Sequence, residues 1–319
     1  MKIAHYAALA LAFSAHLAFG DDDSWKAVFS PLPSVTEPTD AAGKAKIILG
    51  KKLYLDTRLS KDQDVSCNSC HNLKTFGVDN EATSPGHKGQ RGDRNSPSSF
   101  NAALHIAQFW DGRAENVEKQ ALGPILNPKE MAMPNEQAVL DRLTADKALA
   151  AEFAAAFPGE KSPVTYSNVG NAIGAFERTL ITPSRFDAFL KGDSSALTET
   201  EKKGGALFVK TGCIACHNGP TLGGMMYQKL GMVKPYATKD EGRAALTKNA
   251  ADKFVFKVPS LRNVEKTGPY LHDGSVKTLK EAVSIMAEYQ LGKQLSPEEV
   301  NDITAFLGTL TASDPSKLF

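Results

Sequence analysis

Two five-residue stretches could do chemistry that the rest of this chain cannot: Cys67-Asn68-Ser69-Cys70-His71 and Cys213-Ile214-Ala215-Cys216-His217. Two cysteines one helical turn apart can each form a thioether to a vinyl group of a porphyrin. A histidine directly after the second cysteine then sits close enough to bind iron from one face. A lone Cys-x-x-Cys also suits a redox dithiol or half a zinc site. Those readings are weak here, because the 319 residues contain four cysteines in all and a histidine follows each pair. The pattern is that of two covalently bound c-type haems, held by Cys67, Cys70, His71, Cys213, Cys216 and His217. With every thiol spent on haem, a disulfide framework is not expected.

The length exceeds what one compact core usually holds, and one motif falls in each half, so two domains are expected. A hydrophobic content of 42% is enough for both cores. Residues 1–20 read as a signal peptide: Lys2, a short apolar run over 7–17, then Ala18-Phe19-Gly20 ahead of Asp21-Asp22-Asp23. The run is too short for a membrane anchor and is interrupted by His16. No other segment is long and apolar enough, so no membrane span is expected after signal cleavage. Export agrees with the haem motif, whose covalent attachment belongs outside the cytoplasm. Without Lys2 the basic and acidic residues balance at 36 each. That balance gives no electrostatic reason to expect nucleic acid or an anionic membrane as a partner.

The elements that must position these motifs read as mostly helical. After a proline-containing arm over 21–39, Asp40 caps a helix that runs to Leu53 and leads into the first motif. Residues 77–92 form a loop rich in glycine and serine, expected to be mobile, with Gly86-His87-Lys88-Gly89 at its centre. Short helices are expected over 99–109 and 116–122, with Gly123-Pro124 and Asn127-Pro128 breaking the chain. Amphipathic helices follow over 135–157 and 167–180, and a junction between halves over 186–195. A helix over 199–209 then enters the second motif, as in the first half. Each half continues with Pro-Ser-x-x-Asn (97–101 and 259–263) and an Asp-Gly turn, Trp110-Asp111-Gly112 or His272-Asp273-Gly274. Distances between landmarks differ, which marks a diverged duplication. The fold class is mostly α: two cytochrome c-like haem domains, residues 21–186 and 187–319, facing each other across a seam. Strand signal is confined to 253–258.

What a haem iron can do depends on its sixth ligand. Two strong protein ligands make an electron carrier, whereas a free or freeable position admits peroxide. His87, His105 and His272 remain after the two motifs, with methionines at 131, 133, 225, 226, 232 and 286. From the residues alone, His87 reads as an exposed loop histidine and His105 as a packed one. Met286 reads as a core residue, in competition with Met225 and Met226 as a ligand.

The series Cys67 to His71, Gly86-His87, Arg94-Asn95-Ser96-Pro97, Ala107 to Glu115, Gly123-Pro124, Glu130-Met131, Pro259 to Asn263 and Pro269-Tyr270 resembles the bacterial dihaem cytochrome c peroxidases over essentially the whole mature length. The resemblance implies a periplasmic enzyme that reduces hydrogen peroxide to water at the first haem. Electrons would enter at the second haem from a small c-type cytochrome or cupredoxin. It implies that His87 caps the first iron at rest, that Met286 ligates the second, and that Trp110 lies between the haems. It matches Glu130 to the acid–base carboxylate and Gln120 to the amide that orients peroxide. It also implies a calcium ion at the seam, on Asn95 and the main-chain oxygens of Thr267 and Pro269, and a homodimer. Two rival readings are a purely electron-transferring dihaem cytochrome and the related maturation enzyme that oxidises tryptophans in a partner. The latter group carries a tyrosine on its second haem, against which Met286 argues.

Overall fold

The computed structural model describes residues 23–315, so the signal peptide expected over 1–20 lies outside the described residues. The chain begins with a 3-10 turn, Asp23–Val28, in an arm that crosses to the far half. Trp25 and Phe29 lodge among Phe186, Phe189, Phe208 and Phe306, with Trp25 stacked on Phe189 at 5.7 Å. The Leu32 amide donates to the Asp187 carboxylate at 2.7 Å. The arm therefore belongs to the second core and not to the first domain, whose helices follow it in sequence. The physical reason is aromatic burial, which a local proline pattern does not report.

The first core is built by α1 (Ala41–Tyr54), α2 (Cys67–Cys70), α3 (Val117–Leu126), α4 (Glu136–Ala145), α5 (Lys147–Ala156) and α6 (Tyr166–Glu177). Asp40 caps α1 by accepting from the Gly43 amide at 2.7 Å, and α1 buries Leu49, Leu53 and Tyr54. It crosses α6 at Gly50, where a Cβ would sit 1.8 Å from the Ala172 carbonyl oxygen and 3.0 Å from the Phe176 Cβ. The second half holds α7 (Arg185–Leu190), α8 (Glu199–Thr211), β1 (Tyr227–Lys229), α9 (Ala244–Thr247), β2 (Val255–Lys257), α10 (Leu279–Ile285) and α11 (Pro297–Gly308). There α8 crosses α11 at Gly204, where a Cβ would meet the Asp302 carbonyl at 1.9 Å and the Phe306 Cβ at 3.0 Å. Each motif is thus preceded by a helix locked to the last helix of its domain through the same glycine–phenylalanine contact.

The duplication extends to the centre. Asn101 and Asn263 both adopt left-handed backbone, at φ 60° and 61°. Their side-chain amides both donate to the Thr182 hydroxyl, at 2.6 and 2.9 Å, and all three residues are fully buried. The two strands pair antiparallel, with Tyr227 opposite Lys257.

Three local expectations are corrected. Residues 99–109 form no helix beyond a 3-10 turn at Ala102–Leu104, because Asn101 and Phe109 take positive φ. Gly123-Pro124 does not end α3, which runs through Pro124 to Leu126 and stops at Asn127. Pro124 sits in the helix's last turn, where its missing N–H costs a single bond. The stretch 135–157 is two helices, since Asp146 leaves helical geometry to accept from the Ala148 and Leu149 amides.

Candidate haem sites and the seam between them

Cys67, Cys70 and His71 line a cavity of about 1230 Å³. Ser66 and Ser69 cap α2 reciprocally, and the Tyr54 hydroxyl at the end of α1 donates to the His71 carbonyl at 2.6 Å. His71 Nδ1 donates to the Pro97 carbonyl at 2.9 Å, which fixes the tautomer and leaves Nε2 with a lone pair. In the second half Cys213, Cys216 and His217 line a narrower, mainly apolar cavity of about 270 Å³. His217 Nδ1 donates in the same way to the Leu222 carbonyl, at 3.0 Å. Surrounding protein pushes both imidazoles below their ordinary pKa, towards the neutral form a metal requires. None of the four cysteines forms a disulfide. Paired free thiols, an oriented neutral imidazole and an apolar slot are what a c-type haem needs in each half.

Gln120 from α3 and Glu130 from the turn after it both line the first cavity. Glu130 accepts from the Asn127 amide at 2.8 Å. Burial raises its pKa, opposed by the Arg113 charge and that hydrogen bond. His87 does not line this cavity. Its imidazole is buried, with Nδ1 3.4 Å from an Asp62 carboxylate oxygen but without the geometry of a hydrogen bond. The loop expected to be mobile is tied down here: the His87 amide donates to the Glu130 carbonyl at 2.7 Å, and Pro85 bridges to Arg91. Gly86 permits that contact, since a Cβ there would lie 2.1 Å from the Lys129 carbonyl oxygen.

Met286 lines the second cavity, whereas Met225, Met226 and Met232 do not. It stands where α10 gives way to a π-helical turn, Met286–Gln290, a local widening often found where a side chain is presented to a site.

Trp110, Asn95 and His272 line both cavities. Trp110 Nε1 donates to the Asn95 carbonyl at 2.9 Å, and the Lys257 amide donates to the Trp110 carbonyl at 2.7 Å. Arg94 spans the seam, bonding Asp240 at 2.6 and 2.9 Å and Asp111 at 2.7 Å. Asn95, Thr267 and Pro269 all line the second cavity. The Asn95 amide nitrogen is engaged by the Glu81 and Ala82 carbonyls, so its oxygen is the atom a hard cation could use. Among the described residues no cluster of three His, Cys, Asp or Glu could hold a metal ion. A cation here would rest on amide and main-chain oxygens.

Residues 44–195 match the family model for di-haem cytochrome c peroxidase, and residues 201–311 match that for cytochrome c. Cytochrome c551 peroxidase of Nitrosomonas europaea is 49% identical over 271 residues, 84% of this chain and 80% of that one. This chain belongs to the di-haem cytochrome c peroxidase family. Cytochrome c551 peroxidase of Pseudomonas aeruginosa is 47% identical over 317 residues, covering 96% of this chain and 91% of its own. A solved MauG-like protein associated with microbial copper homeostasis matches with a TM-score of 0.77 at 29% identity, over 89% of this chain and 93% of that one. The enzyme is therefore a cytochrome-c peroxidase, an oxidoreductase acting on peroxide, with two c-type haem domains and a mostly helical fold. Among the described residues no helix is long and apolar enough to cross a membrane.

Sequence reasoning did not single out Glu177, at the end of α6. It lines the first cavity, is 5% exposed, and burial beside Glu118 pushes its pKa up to about 8. Nor did it single out Lys257, and it read His105 only as a packed residue; both are in the wall of the second cavity. His272 was legible only as the counterpart of Trp110 in the repeated turn.

Proposed function

We propose that this enzyme reduces hydrogen peroxide to water in the first cavity, with electrons entering through the second from a small c-type cytochrome or cupredoxin in the periplasm. The observation that carries the reading is the presence of Glu130 and Gln120 in one wall with Cys67, Cys70 and His71. Haem would supply the iron and pass on the donor's two electrons, and two protons from solvent complete the reduction to two waters. Glu130, with its pKa raised by burial, takes a proton from the nearer peroxide oxygen and returns it to the farther one, so that water departs. Gln120 orients the substrate by hydrogen bonding. Trp110, packed between the cavities, would bridge the electron path, and Met286 and His217, which line the same cavity, would hold the second iron as a ligand pair suited to electron acceptance.

His87 acts as a gate. Its imidazole lies beside Asp62 and outside the first cavity, so capping the first iron would require the loop to swing inward. Electrons at the second site, with calcium held by Asn95, Thr267 and Pro269, favour the open loop, which demands a coupling free energy between the two sites. A homodimer is the assembly this reading carries. Glu130→Gln tests it: the haem spectra stay as in wild type while turnover with peroxide falls by about 10²-fold or more. Near-normal turnover removes Glu130 from the mechanism. A half-reduced wild-type protein indifferent to peroxide reduces the enzyme to an electron carrier.

A further inference from the structure

Lys257 presents a problem of charge. It is 6% exposed at the end of β2, yet among the described residues no carboxylate lies within ion-pair distance. The partner of its ammonium is another cavity-wall residue, His105, whose Nδ1 is 3.3 Å from Nζ. An ammonium can only donate, so Nδ1 accepts and the imidazole proton sits on Nε2. That Nε2 is buried without a hydrogen-bond partner. Gly224 allows the ring its place, since a Cβ there would be 2.3 Å from His105 Cδ2. The cationic groups nearby are otherwise engaged: Arg94 by Asp111 and Asp240, Arg262 by Asp187, Arg243 by the Asp111 carbonyl.

A positive charge whose one acceptor is a neutral imidazole therefore stands in the wall of an otherwise apolar cavity. A buried ammonium left unpaired is strongly unfavourable, as is a buried N–H without an acceptor. What would satisfy the ammonium is an anionic oxygen brought in by whatever fills the cavity. The haem joined at Cys213 and Cys216 carries two carboxylates of its own. We propose that Lys257, oriented by the His105 acceptor, receives a propionate of the second haem in the cavity that Trp110 also lines. Burial already lowers the Lys257 pKa to about 8 in the protein alone, and a propionate partner would restore its charge. The main-chain bond from Lys257 to the Trp110 carbonyl ties this counter-charge to the seam.

The inference rests on the second haem alone and not on peroxide chemistry at the first, so the two fail separately. The test is potentiometric and vibrational, on the holoprotein. A cation paired with the propionate favours the reduced haem. Lys257→Met should lower the reduced-to-oxidised ratio of the second haem at fixed potential about tenfold, a midpoint drop of about 59 mV. Lys257→Arg should keep the midpoint near wild type. Resonance Raman spectra of the wild type should show a propionate bending mode at the second haem that shifts in D2O and moves again in Lys257→Met. An unchanged midpoint in Lys257→Met with haem content intact overturns the proposal. So does a D2O-insensitive propionate mode in the wild type, which needs no variant to fold. A lowered midpoint with an unmoved mode overturns the contact as well, since a distant charge would act through its field alone.

Discussion

Trp110 and His272 hold equivalent places in the two copies of the repeated Asp-Gly turn, and they meet edge to face across the seam with ring centroids 6.4 Å apart. The surrounding backbone repeats with them. Gln108 bridges to Ala114 as Tyr270 does to Val276, and Phe109 and Leu271 both take positive φ, at 65° and 68°. The duplicated halves are thus joined at their own repeat, which puts an aromatic side chain from each copy between the cavities. His272 is held by Phe256, stacked at 4.4 Å, and by the Thr238 hydroxyl, 2.9 Å from Nε2.

The same pseudo-symmetry makes Thr182 a keystone, because Asn101 and Asn263 share its hydroxyl. Thr182→Val keeps the shape and removes the acceptor, leaving two buried amide groups unsatisfied at about 1–3 kcal/mol each. Urea denaturation of the holoprotein should show a loss of that order, and Thr182→Ser should recover most of it. A neutral Thr182→Val would show that the asparagines do not depend on this hydroxyl.

As the proposed base, Glu130 should set the acid limb of the rate profile. Burial raises its pKa, so the proton-accepting form is lost at a higher pH than for an exposed glutamate as the solution is acidified. kcat/KM should fall on the acid side with a midpoint above the ordinary carboxylate range, and Glu130→Gln should abolish that limb along with most of the rate. A limb that persists at full slope in Glu130→Gln belongs to another group.

Glu177 links stability to pH. Its pKa is pushed from 4.5 to about 8 by burial, so the folded state keeps a proton that the unfolded chain has released. The contribution is fully present below about pH 4.5 and declines as pH rises towards 8, by up to ~1.4 kcal/mol per pH unit. Glu177→Gln should flatten this decline, seen as a difference from wild type that grows between pH 5 and pH 8. Parallel stability curves for the two proteins would show that the carboxyl is not buried as a neutral acid.

Met286→Ala tests the second iron's ligand. A thioether opposite histidine raises the potential. The variant should lose the low-spin Met–His signature of the second haem and lower its midpoint, while the spectrum of the first haem stays unchanged. Retention of both ligation and potential would leave the thioether without a part in the site.

The residues that make covalent bonds or local caps were legible in the amino-acid order. Cys67 to His71 and Cys213 to His217 declare their chemistry by spacing alone, and Asp40 caps α1 with a carboxylate three residues from its partner. The repeated Pro-Ser-x-x-Asn and Asp-Gly blocks were visible as a duplication, and the helical character of both halves followed from apolar periodicity. What folding alone decided involves partners distant in sequence. Trp25 leaves its own half because the aromatic pocket of Phe186, Phe189, Phe208 and Phe306 is assembled from three separate segments. Gly50 and Gly204 look interchangeable with alanine until a carbonyl from another helix is found where a Cβ would go. Glu177, His105 and Lys257 are unremarkable polar residues in sequence. Their roles come from being desolvated against a cavity, and desolvation is a property of everything packed around a group.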